Sequence, residues 1–341
     1  MVRISINGFG RIGRLAFRVA VLNHLKEAEV VAINTSGSMD AAGWAYLLKY
    51  DTIYGRFPRE IKVVEPAGSK EIGALEIEGR RYPILAEKDL LKIPWYTYQP
   101  QVVLEATGVF RSWPEAEKHL LVGAEKVIIS APPKSKEIPI YLVGVNLHRY
   151  RGEKIISNGS CTTNCVAPVV KVIKDEFGIG QAVLTTIHAY TADQELVDGS
   201  HKDLRRGRSA ALNIIPTETG AAESVVAIFP DLKGKFAGTA IRVPVGCGSF
   251  SDLTFKLEKK VTVDAVNRAF QKAAEEKLKE ILSLAYDPIV SSDIVGNSAS
   301  AIVDMAMTNV VEEDFIQIGV WYDNEMAYAH RLVEEAIVIG K

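Results

Sequence analysis

The chain has few cysteines, no long apolar run and almost no excess of charge of either sign. Three of its 341 residues are cysteines, and none of them form a C-x-x-C pair. This usage argues against a disulfide framework and a zinc ribbon, and it favours a reducing, cytoplasmic location. No apolar run has the length of a membrane span, and the N-terminus shows no signal or transit peptide. The formal net charge of −2 gives no reason to expect a nucleic acid or a membrane as partner.

The composition is that of an ordinary soluble globular protein, with 48% hydrophobic and 24% charged residues. A chain of this length exceeds one typical hydrophobic core. We therefore expect two domains.

The first 33 residues predict a strand, a glycine-rich turn, a helix and a second strand. These elements span residues 2–6, 8–13, 14–25 and 29–33. Gly8 would make the tight turn, Gly10 would let a pyrophosphate approach the backbone, and Gly13 would allow close helix packing. In this setting G-x-G-x-x-G predicts dinucleotide binding, whereas alone it would indicate no more than a flexible loop.

Strands and helices continue to alternate through the first half of the chain. Predicted strands cover residues 61–64, 75–77, 82–85, 101–106, 126–130 and 141–143, and predicted helices cover 41–50 and 114–121. Such alternation predicts an α/β fold with a doubly wound parallel Rossmann sheet. Gly108 and Ser130 follow strands whose carboxyl ends should face a cofactor.

The end of the second strand bears on the choice of cofactor. NAD-binding folds usually place a carboxylate there to bind the adenine ribose. This chain has none between Asn34 and Ser38, and the first acid is Asp40. The missing anion favours NADP, with NAD possible, although the loop contains no Arg or Lys to bind a 2′-phosphate.

The stretch from Ser157 to Cys165 predicts a turn between a strand at residues 154–156 and a helix at 166–177. Ser160 is a suitable N-cap, which places Cys161 at the helix N-terminus. Backbone amides and the helix dipole would lower the thiol pKa there and make Cys161 a nucleophile. The alternative is a small buried apolar residue, the usual role of a lone cysteine.

The second half contains longer predicted elements. Strands are expected at 182–191, 238–243 and 250–257, and helices at 264–283 and 325–338. His188 is the best candidate general base, although a lone histidine on an apolar strand is often a core residue. The cations between Lys202 and Arg208 indicate either a solvated surface or a loop that binds phosphate or a neighbouring subunit.

These motifs, taken together, resemble those of phosphorylating glyceraldehyde-3-phosphate dehydrogenases. The matching runs are INGFGRIGR at 6–14, SCTTNC at 160–165, HAYT at 188–191, TGAA at 219–222, RVP at 242–244 and WYDNE at 321–325. The resemblance implies a Rossmann domain of residues 1–160 with 324–341. It also implies an α+β catalytic domain at 161–323 with a mainly antiparallel sheet, and a homotetramer.

The resemblance further implies a reaction. Cys161 would attack an aldehyde to give a thiohemiacetal, and His188 would pair with the thiol and take its proton. Hydride transfer to the cofactor would leave a thioester that inorganic phosphate cleaves to an acyl phosphate. Cys165 would be a packed supporting residue.

Further residues are implied by the same resemblance. Residues that bind the phosphorylated aldehyde and inorganic phosphate would be Ser160, Thr162, Thr191, Arg206, Thr219, Gly220 and Arg242. Residues that bind the cofactor would be Gly8, Gly10, Arg11, Ile12, Gly13, Thr35, Ser130, Ser200 and Asn324. No metal is expected.

Departures from the family pattern concern the cofactor above all. NAD-dependent members have Asp where this chain has Thr35, and usually Pro where it has Ser200. Both differences resemble the NADP-using branch, in which a loop of a neighbouring subunit contacts the 2′-phosphate. Glu218 places a charge beside the proposed phosphate site, and the effects of Gly246-Cys247-Gly248 and Met326 are left open.

Two other functions are considered. Erythrose-4-phosphate dehydrogenase shares the thiol and the histidine, but the intact motifs at Thr191 and at 219–221 argue against it. An inactive dinucleotide-binding redox sensor would not need Cys161, His188 and both phosphate anchors together.

Overall fold

The chain divides into two units in the computed structural model, which describes residues 1–341. Unit 1 comprises Met1–Leu142, Leu147–Gly159 and Ala329–Lys341, and unit 2 comprises Val143–Asn146 and Ser160–Tyr328. The α-helices are α1 (Arg11–Asn23), α2 (Ala41–Lys49), α3 (Trp95–Tyr98), α4 (Trp113–Leu121), α5 (Cys161–Phe177), α6 (Ala221–Ile228), α7 (Val263–Glu275) and α8 (Met326–Ile339). None of these helices combines the length and the apolar content needed to cross a membrane.

Unit 1 contains one eight-stranded sheet. Its strands are β1 (Val2–Asn7), β2 (Ala28–Asn34), β3 (Lys62–Val64), β4 (Glu71–Ile77), β5 (Arg80–Leu85), β6 (Val102–Glu105), β7 (Lys126–Ile129) and β8 (Ile155–Ser157). They lie in the order β3-β4-β5-β2-β1-β6-β7-β8, parallel from β5 to β8. The predicted doubly wound Rossmann sheet is confirmed, and its strand order reverses at β1, where such folds bind ligands.

The hydrophobic pattern of the parallel strands explains why they lie inside. Side chains of β6 and β7 are almost all fully buried, since helices and loops cover both faces of the sheet. One cluster packs Trp95 and Leu90 against Val103, and another packs Ala116 against Val127. The predicted strand at 141–143 is wrong: an isolated bridge joins Ile140 to Ser157 instead, next to Pro139, which cannot donate to a ladder.

Unit 2 contains a second sheet, of mixed direction. Its strands are β9 (Ile179–Ala189), β10 (Ile215–Thr217), β11 (Phe236–Val243), β12 (Ser249–Leu257), β13 (Leu282–Ala285), β14 (Ala301–Asp304), β15 (Asn309–Val311) and β16 (Phe315–Tyr322). The order is β10-β11-β9-β12-β16-β14-β13, with β15 on β16. β9 pairs parallel with β11 and antiparallel with β12, and this register sets Arg242 beside His188.

The predicted helix at 264–283 is too long. α7 ends at Glu275, and the chain then turns into β13. Leu278 and Ile281 continue the helical spacing of apolar residues, and both are buried, but they lie in hydrogen-bonded turns after the helix. The spacing there therefore reflects burial and not another helical turn.

The C-terminal part of α8 belongs to unit 1 and contains a buried carboxyl group. Glu335 is 0% exposed and accepts a 2.6 Å hydrogen bond from Asn158 Nδ2, while its Oε1 has no partner. Burial raises the pKa of Glu335 to about 8, and Asn158 offsets this in part. Tyr150 is the titratable neighbour that senses its charge. Glu335 is therefore held as the neutral acid at neutral pH.

We predict that Glu335→Gln removes a pH dependence of stability. The folded pKa of about 8 exceeds the unfolded value of about 4.3. The contribution of Glu335 to the unfolding free energy is therefore fully present below the unfolded-state pKa. It is lost progressively as the pH rises from that value through the folded-state pKa. Between pH 6 and 9 the unfolding free energy of the variant should gain about 3 kcal/mol on the parent in urea titrations. The exposed Glu117→Gln control should show no such gain, and equal curves for both variants would contradict the assignment.

Candidate active site

The turn before α5 has the predicted geometry. Ser160 is the N-cap, and its hydroxyl accepts from the backbone N–H of Thr163 at 3.1 Å. The backbone N–H of Ser160 donates to Thr163 Oγ1 at 3.3 Å in return, which completes a capping box. Cys161 is the first helical residue, so its sulfur lies among the unpaired amides of the first turn.

The structure brings Cys161 and His188 together within unit 2. The Cys161 sulfur lies 3.3 Å from His188 Nε2. His188 Nδ1 lies 2.6 Å from the carbonyl oxygen of Ala189, which assigns the ring proton to Nδ1 and leaves Nε2 as the acceptor. The imidazole also packs edge-on against Tyr322, with ring centroids 6.0 Å apart. His188 is therefore oriented as a base toward the thiol.

The electrostatics differ from the prediction. Burial raises the pKa of the Cys161 thiol, and the charge of Arg242 and the first-turn amides lower it by less. Burial, followed by the charge of Arg242, lowers the pKa of His188 to about 3. The two groups thus form a neutral pair. The predicted lowering of the thiol pKa is wrong, because burial outweighs the helix terminus.

Two cations lie close to this pair. Arg242 Nη1 lies 2.9 Å from His188 Nδ1 and donates to Ala189 O at 3.0 Å and to Thr191 Oγ1 at 3.1 Å. The Asp193 carboxylate accepts from Thr191 Oγ1 and from Arg206 Nη1. Asp193 therefore connects Arg206 with Arg242 through Thr191, and it is absent from the predicted site residues although it lies two residues after the HAYT run.

The proposed site for the attacking phosphate is built around Arg206. Its Nε donates to Thr217 Oγ1 at 2.9 Å and its Nη2 to Glu218 O at 3.3 Å. Gly220 is the N-cap of α6, and Thr219 Oγ1 accepts from the N–H of Ala221 at 3.2 Å. The Glu218 side chain is exposed, and it is the backbone carbonyl of Glu218 that binds Arg206.

Thr162 differs from the other predicted substrate residues. Its side chain is buried, and its hydroxyl lies 2.9 Å from the Tyr322 hydroxyl, which in turn lies 2.8 Å from Thr186 Oγ1. The Thr162 side chain supports the core beneath the site. Its hydroxyl and, to a smaller extent, its backbone N–H also lower the pKa of Cys161.

Unit 1 has a cavity of about 440 Å³ at the carboxyl ends of its central strands. The geometry at two glycines is as predicted: a side chain on Gly8 (φ +96°) would lie 2.7 Å from Thr107 N, and one on Gly13 would lie 1.9 Å from Gly8 O. A Cβ on Gly10 would meet no atom within 4 Å. Gly10 lines the cavity, and its role toward a pyrophosphate stays a prediction.

A chain of buried hydrogen bonds fixes this cavity. Trp95 Nε1 donates to His119 Nδ1 at 2.9 Å, so His119 Nε2 carries the proton toward Glu105 Oε2, 3.0 Å away. Asn7 Nδ2 donates to the same Glu105 oxygen at 2.6 Å, and Asn34 Nδ2 donates to Asn7 Oδ1 at 2.7 Å. The ends of β1, β2 and β6 are thereby tied together, and Asn7 and Asn34 line the cavity.

Thr35 and Ser36 line the cavity where the sequence places the cofactor determinant. Thr35 is buried and donates to Leu85 O at 2.9 Å, so its hydroxyl is already bonded within unit 1. Lys88 also lines the cavity beside Glu87, because β5 lies next to β2 and both end at this edge. The loop after β2 contains no cation, and Lys88 could be found only from the pairing of β5 with β2.

Several predicted cofactor residues do not line this cavity. Arg11 forms an ion pair with Asp51 at 2.7 Å, and the backbone N–H of Ser130 donates to Glu105 O. Asn324 is buried in unit 2, where its Oδ1 accepts from Gly248 N at 3.2 Å and Ser249 Oγ at 3.0 Å. The remaining predicted residues outside the cavity lining are Ile12, Gly13 and the exposed Ser200.

Residues 247 and 248, whose effect the sequence leaves open, have structural roles. The Cys247 thiol donates to Asp323 Oδ1 at 3.2 Å, and the same oxygen accepts from the N–H of Glu325 and of Met326 at the start of α8. Gly248 has φ +90°, and a Cβ there would lie 2.2 Å from Ser291 O. Both residues therefore fix the loop that positions Asn324.

Comparisons with known proteins cover almost the whole chain. The family described as glyceraldehyde 3-phosphate dehydrogenase, NAD binding domain, matches residues 2–113, and its C-terminal domain matches residues 160–324. Glyceraldehyde-3-phosphate dehydrogenase 2 of Streptomyces avermitilis is 48% identical over 341 residues, covering 99% of this chain and 98% of its own length. Glyceraldehyde-3-phosphate dehydrogenase 1 of Bacillus cereus is 46% identical, covering 98% of both. The chloroplastic glyceraldehyde-3-phosphate dehydrogenase A of Chlamydomonas reinhardtii is 44% identical, covering 100% of this chain and 89% of its own.

We predict that iodoacetamide alkylates one thiol per chain, that of Cys161. Cys165 and Cys247 are 0% and 5% exposed and lie out of reach, whereas Cys161 is half-buried. Mass spectrometry of Cys161→Ser should find no adduct, and Cys165→Ser should react like the parent. An adduct on Cys165 in the parent would contradict this assignment of the accessible thiol.

Proposed function

The chain belongs to the glyceraldehyde-3-phosphate dehydrogenase family, and from this premise we propose how its residues carry out the reaction. It oxidises D-glyceraldehyde 3-phosphate with inorganic phosphate to 1,3-bisphosphoglycerate, and the reverse, as an NAD(P)-dependent oxidoreductase. The observation that carries the assignment of roles is the 3.3 Å contact between the thiol of Cys161 and Nε2 of His188. We propose residues 161–323 as the catalytic part and residues 1–160 with 324–341 as the dinucleotide-binding part.

Cys161 is the nucleophile in this proposal. As its sulfur bonds to the aldehyde carbon, the thiol proton passes to Nε2 of His188, because the two groups start as a neutral pair within hydrogen-bond reach. His188 then protonates the developing alkoxide, which gives the thiohemiacetal. The ion pair implied by the family resemblance thus exists during attack and not before it.

Oxidation leaves the substrate as a thioester on Cys161. When bound, NAD(P)+ supplies a hydride acceptor at C4 of its nicotinamide. His188 takes the hydroxyl proton of the thiohemiacetal as the hydride departs, so the C–O bond becomes a carbonyl. A phosphate oxygen then attacks this carbonyl, the C–S bond breaks, and the thiolate that leaves is reprotonated.

Two groups of residues bind the phosphates. Arg242 and Thr191, which lie within hydrogen-bond distance of each other, hold the phosphate of the aldehyde. Arg206 with Ser160, Thr219 and Gly220 receives the attacking phosphate. Charge-assisted hydrogen bonds from guanidinium groups and free amides at helix N-termini suit both anions.

The cofactor is proposed to be NADP in preference to NAD. The cavity of unit 1 is the proposed dinucleotide site, since Gly8 and Gly10 line it and the backbone at Gly10 is open to a pyrophosphate. No carboxylate follows β2 to repel a 2′-phosphate, and Lys88 supplies a positive charge in the lining. Ser200 adds a hydroxyl contact from a neighbouring subunit in this proposal, which includes a homotetramer and a cytoplasmic location.

The reaction is tested by initial rates with glyceraldehyde 3-phosphate and with erythrose 4-phosphate, with and without inorganic phosphate. We predict turnover with the first aldehyde that requires phosphate. Cys161→Ser should lower kcat by about a thousandfold or more, and His188→Asn by about a hundredfold or more, because nucleophile and base are lost.

Cys165→Ser is the matched control, since it lies one turn further along the same helix and is fully buried. It should keep most of the activity. Equal losses in both serine variants would mean that the nucleophile is misassigned, and a preference for erythrose 4-phosphate would contradict the substrate.

Cofactor choice is tested by Thr35→Asp. A carboxylate at the end of β2 would repel a 2′-phosphate, so kcat/KM for NADP+ should fall about tenfold or more, while that for NAD+ holds or rises. Thr35→Val is the control, since it loses the hydroxyl bond to Leu85 without adding charge. A parent enzyme that strongly prefers NAD+ would overturn this reading of Thr35.

A further inference from the structure

Three side chains with metal-binding atoms meet where α1 ends beside α8. His24 is the C-cap of α1, and His330 and Glu334 lie on α8. One ring nitrogen of each histidine and one carboxylate oxygen of Glu334 all lie within 4.8 Å of one another. The three residues are half-buried and all belong to unit 1.

The backbone holds these side chains in place from both sides. The His24 N–H donates to Ala20 O, and the His24 carbonyl accepts from the N–H groups of Glu27 and Ala28 at 2.9 Å. On α8, His330 and Glu334 are four residues apart and therefore share one face of the helix. The cluster thus does not depend on a flexible loop.

Two charged side chains contact members of the cluster. His24 Nδ1 lies 2.9 Å from Glu27 Oε2, and Arg331 Nη2 donates to Glu334 Oε1 at 2.6 Å. Histidines that bind metals usually share their other ring nitrogen with a carboxylate, and carboxylate ligands are usually hydrogen-bonded in turn. Both contacts match that arrangement.

We propose that His24, His330 and Glu334 bind a divalent cation of the zinc class. Two imidazoles and one carboxylate are a ligand set that Zn²⁺ accepts, with water in the fourth tetrahedral position. The two rings pack edge-on with centroids 6.4 Å apart, and the Glu334 carboxylate lies beside both, so three donor atoms are within reach of one ion. The metal would tie the end of α1 to α8 and stabilise unit 1.

Zn²⁺ alone is the probe, titrated into the full-length protein by calorimetry. The Cys161→Ser background is used because the pair of Cys161 and His188 could itself bind zinc. We expect one Zn²⁺ per chain and a rise in Tm on binding, since the site is assembled in the folded state. Co²⁺ in place of Zn²⁺ should show the visible absorption of a tetrahedral site.

Single variants identify the ligands. His24→Ala and His330→Ala should each weaken Zn²⁺ binding by about tenfold or more, abolish the Tm shift and retain the Tm of the metal-free parent. Glu27→Gln should weaken binding by about tenfold, as expected for a group that orients a ligand. His148→Ala, an exposed histidine outside the cluster, is the matched control and should bind like the parent.

In protein that keeps the native Cys161, the activity of each variant should equal that of the parent, because the cluster lies outside the proposed catalytic machinery. A background protein that binds no Zn²⁺ at micromolar concentration would overturn the proposal. So would an equal loss of affinity in His148→Ala and His330→Ala. If either ligand variant fails to fold, the Glu27→Gln titration still decides, since unchanged affinity there contradicts the proposed arrangement.

Discussion

The chemistry of unit 2 depends on holding a neutral imidazole 3.3 Å from one thiol. The contact joins the capped start of α5 to the end of β9. The local sequence around Cys161 does not determine where His188 lies, and the reverse is also true. β9 is paired on both sides along its length, by β11 and β12. Because these ladders fix the height of His188 in the sheet, its backbone cannot move away from Cys161 without breaking paired strands.

The same burial that fixes the pair also determines its protonation. Burial of the imidazole and partial burial of the thiol disfavour the charged form of each, so the proton stays on sulfur in the resting protein. A base with a low pKa is a weak acceptor in the resting protein. It gains strength when the alkoxide that it must protonate forms next to it, and this ties proton transfer to bond formation.

Helix caps and turn glycines could be predicted from the sequence, because they depend on residues close together in the chain. Ser160 as N-cap and Gly8 and Gly13 near the tight turn each depend on residues a few positions apart. The alternation of strands and helices, which predicts a parallel sheet, is likewise visible along the chain. The contact between Cys161 and His188 could only be proposed, since 27 residues separate them.

Quantities that depend on burial or on strand neighbours could not be predicted. The thiol pKa was expected to fall because a helix terminus is visible in the sequence, whereas the burial that raises it is not. Lys88 lines the cavity of unit 1 because β5 pairs with β2, and that pairing is a property of the sheet. Asp193 and its bonds to Thr191 and Arg206 depend in the same way on the folded loop after β9.

Asp193 resolves a conflict in the charge requirements of the site. Binding two phosphates calls for cations, yet Arg242 and Arg206 both lower the pKa of His188 and so weaken the base. Asp193 raises that pKa, and its own pKa is held low, chiefly by the hydrogen bond from Thr191 and then by the two arginines, so it stays charged. A single carboxylate therefore orients both cations and returns part of the proton affinity that they remove.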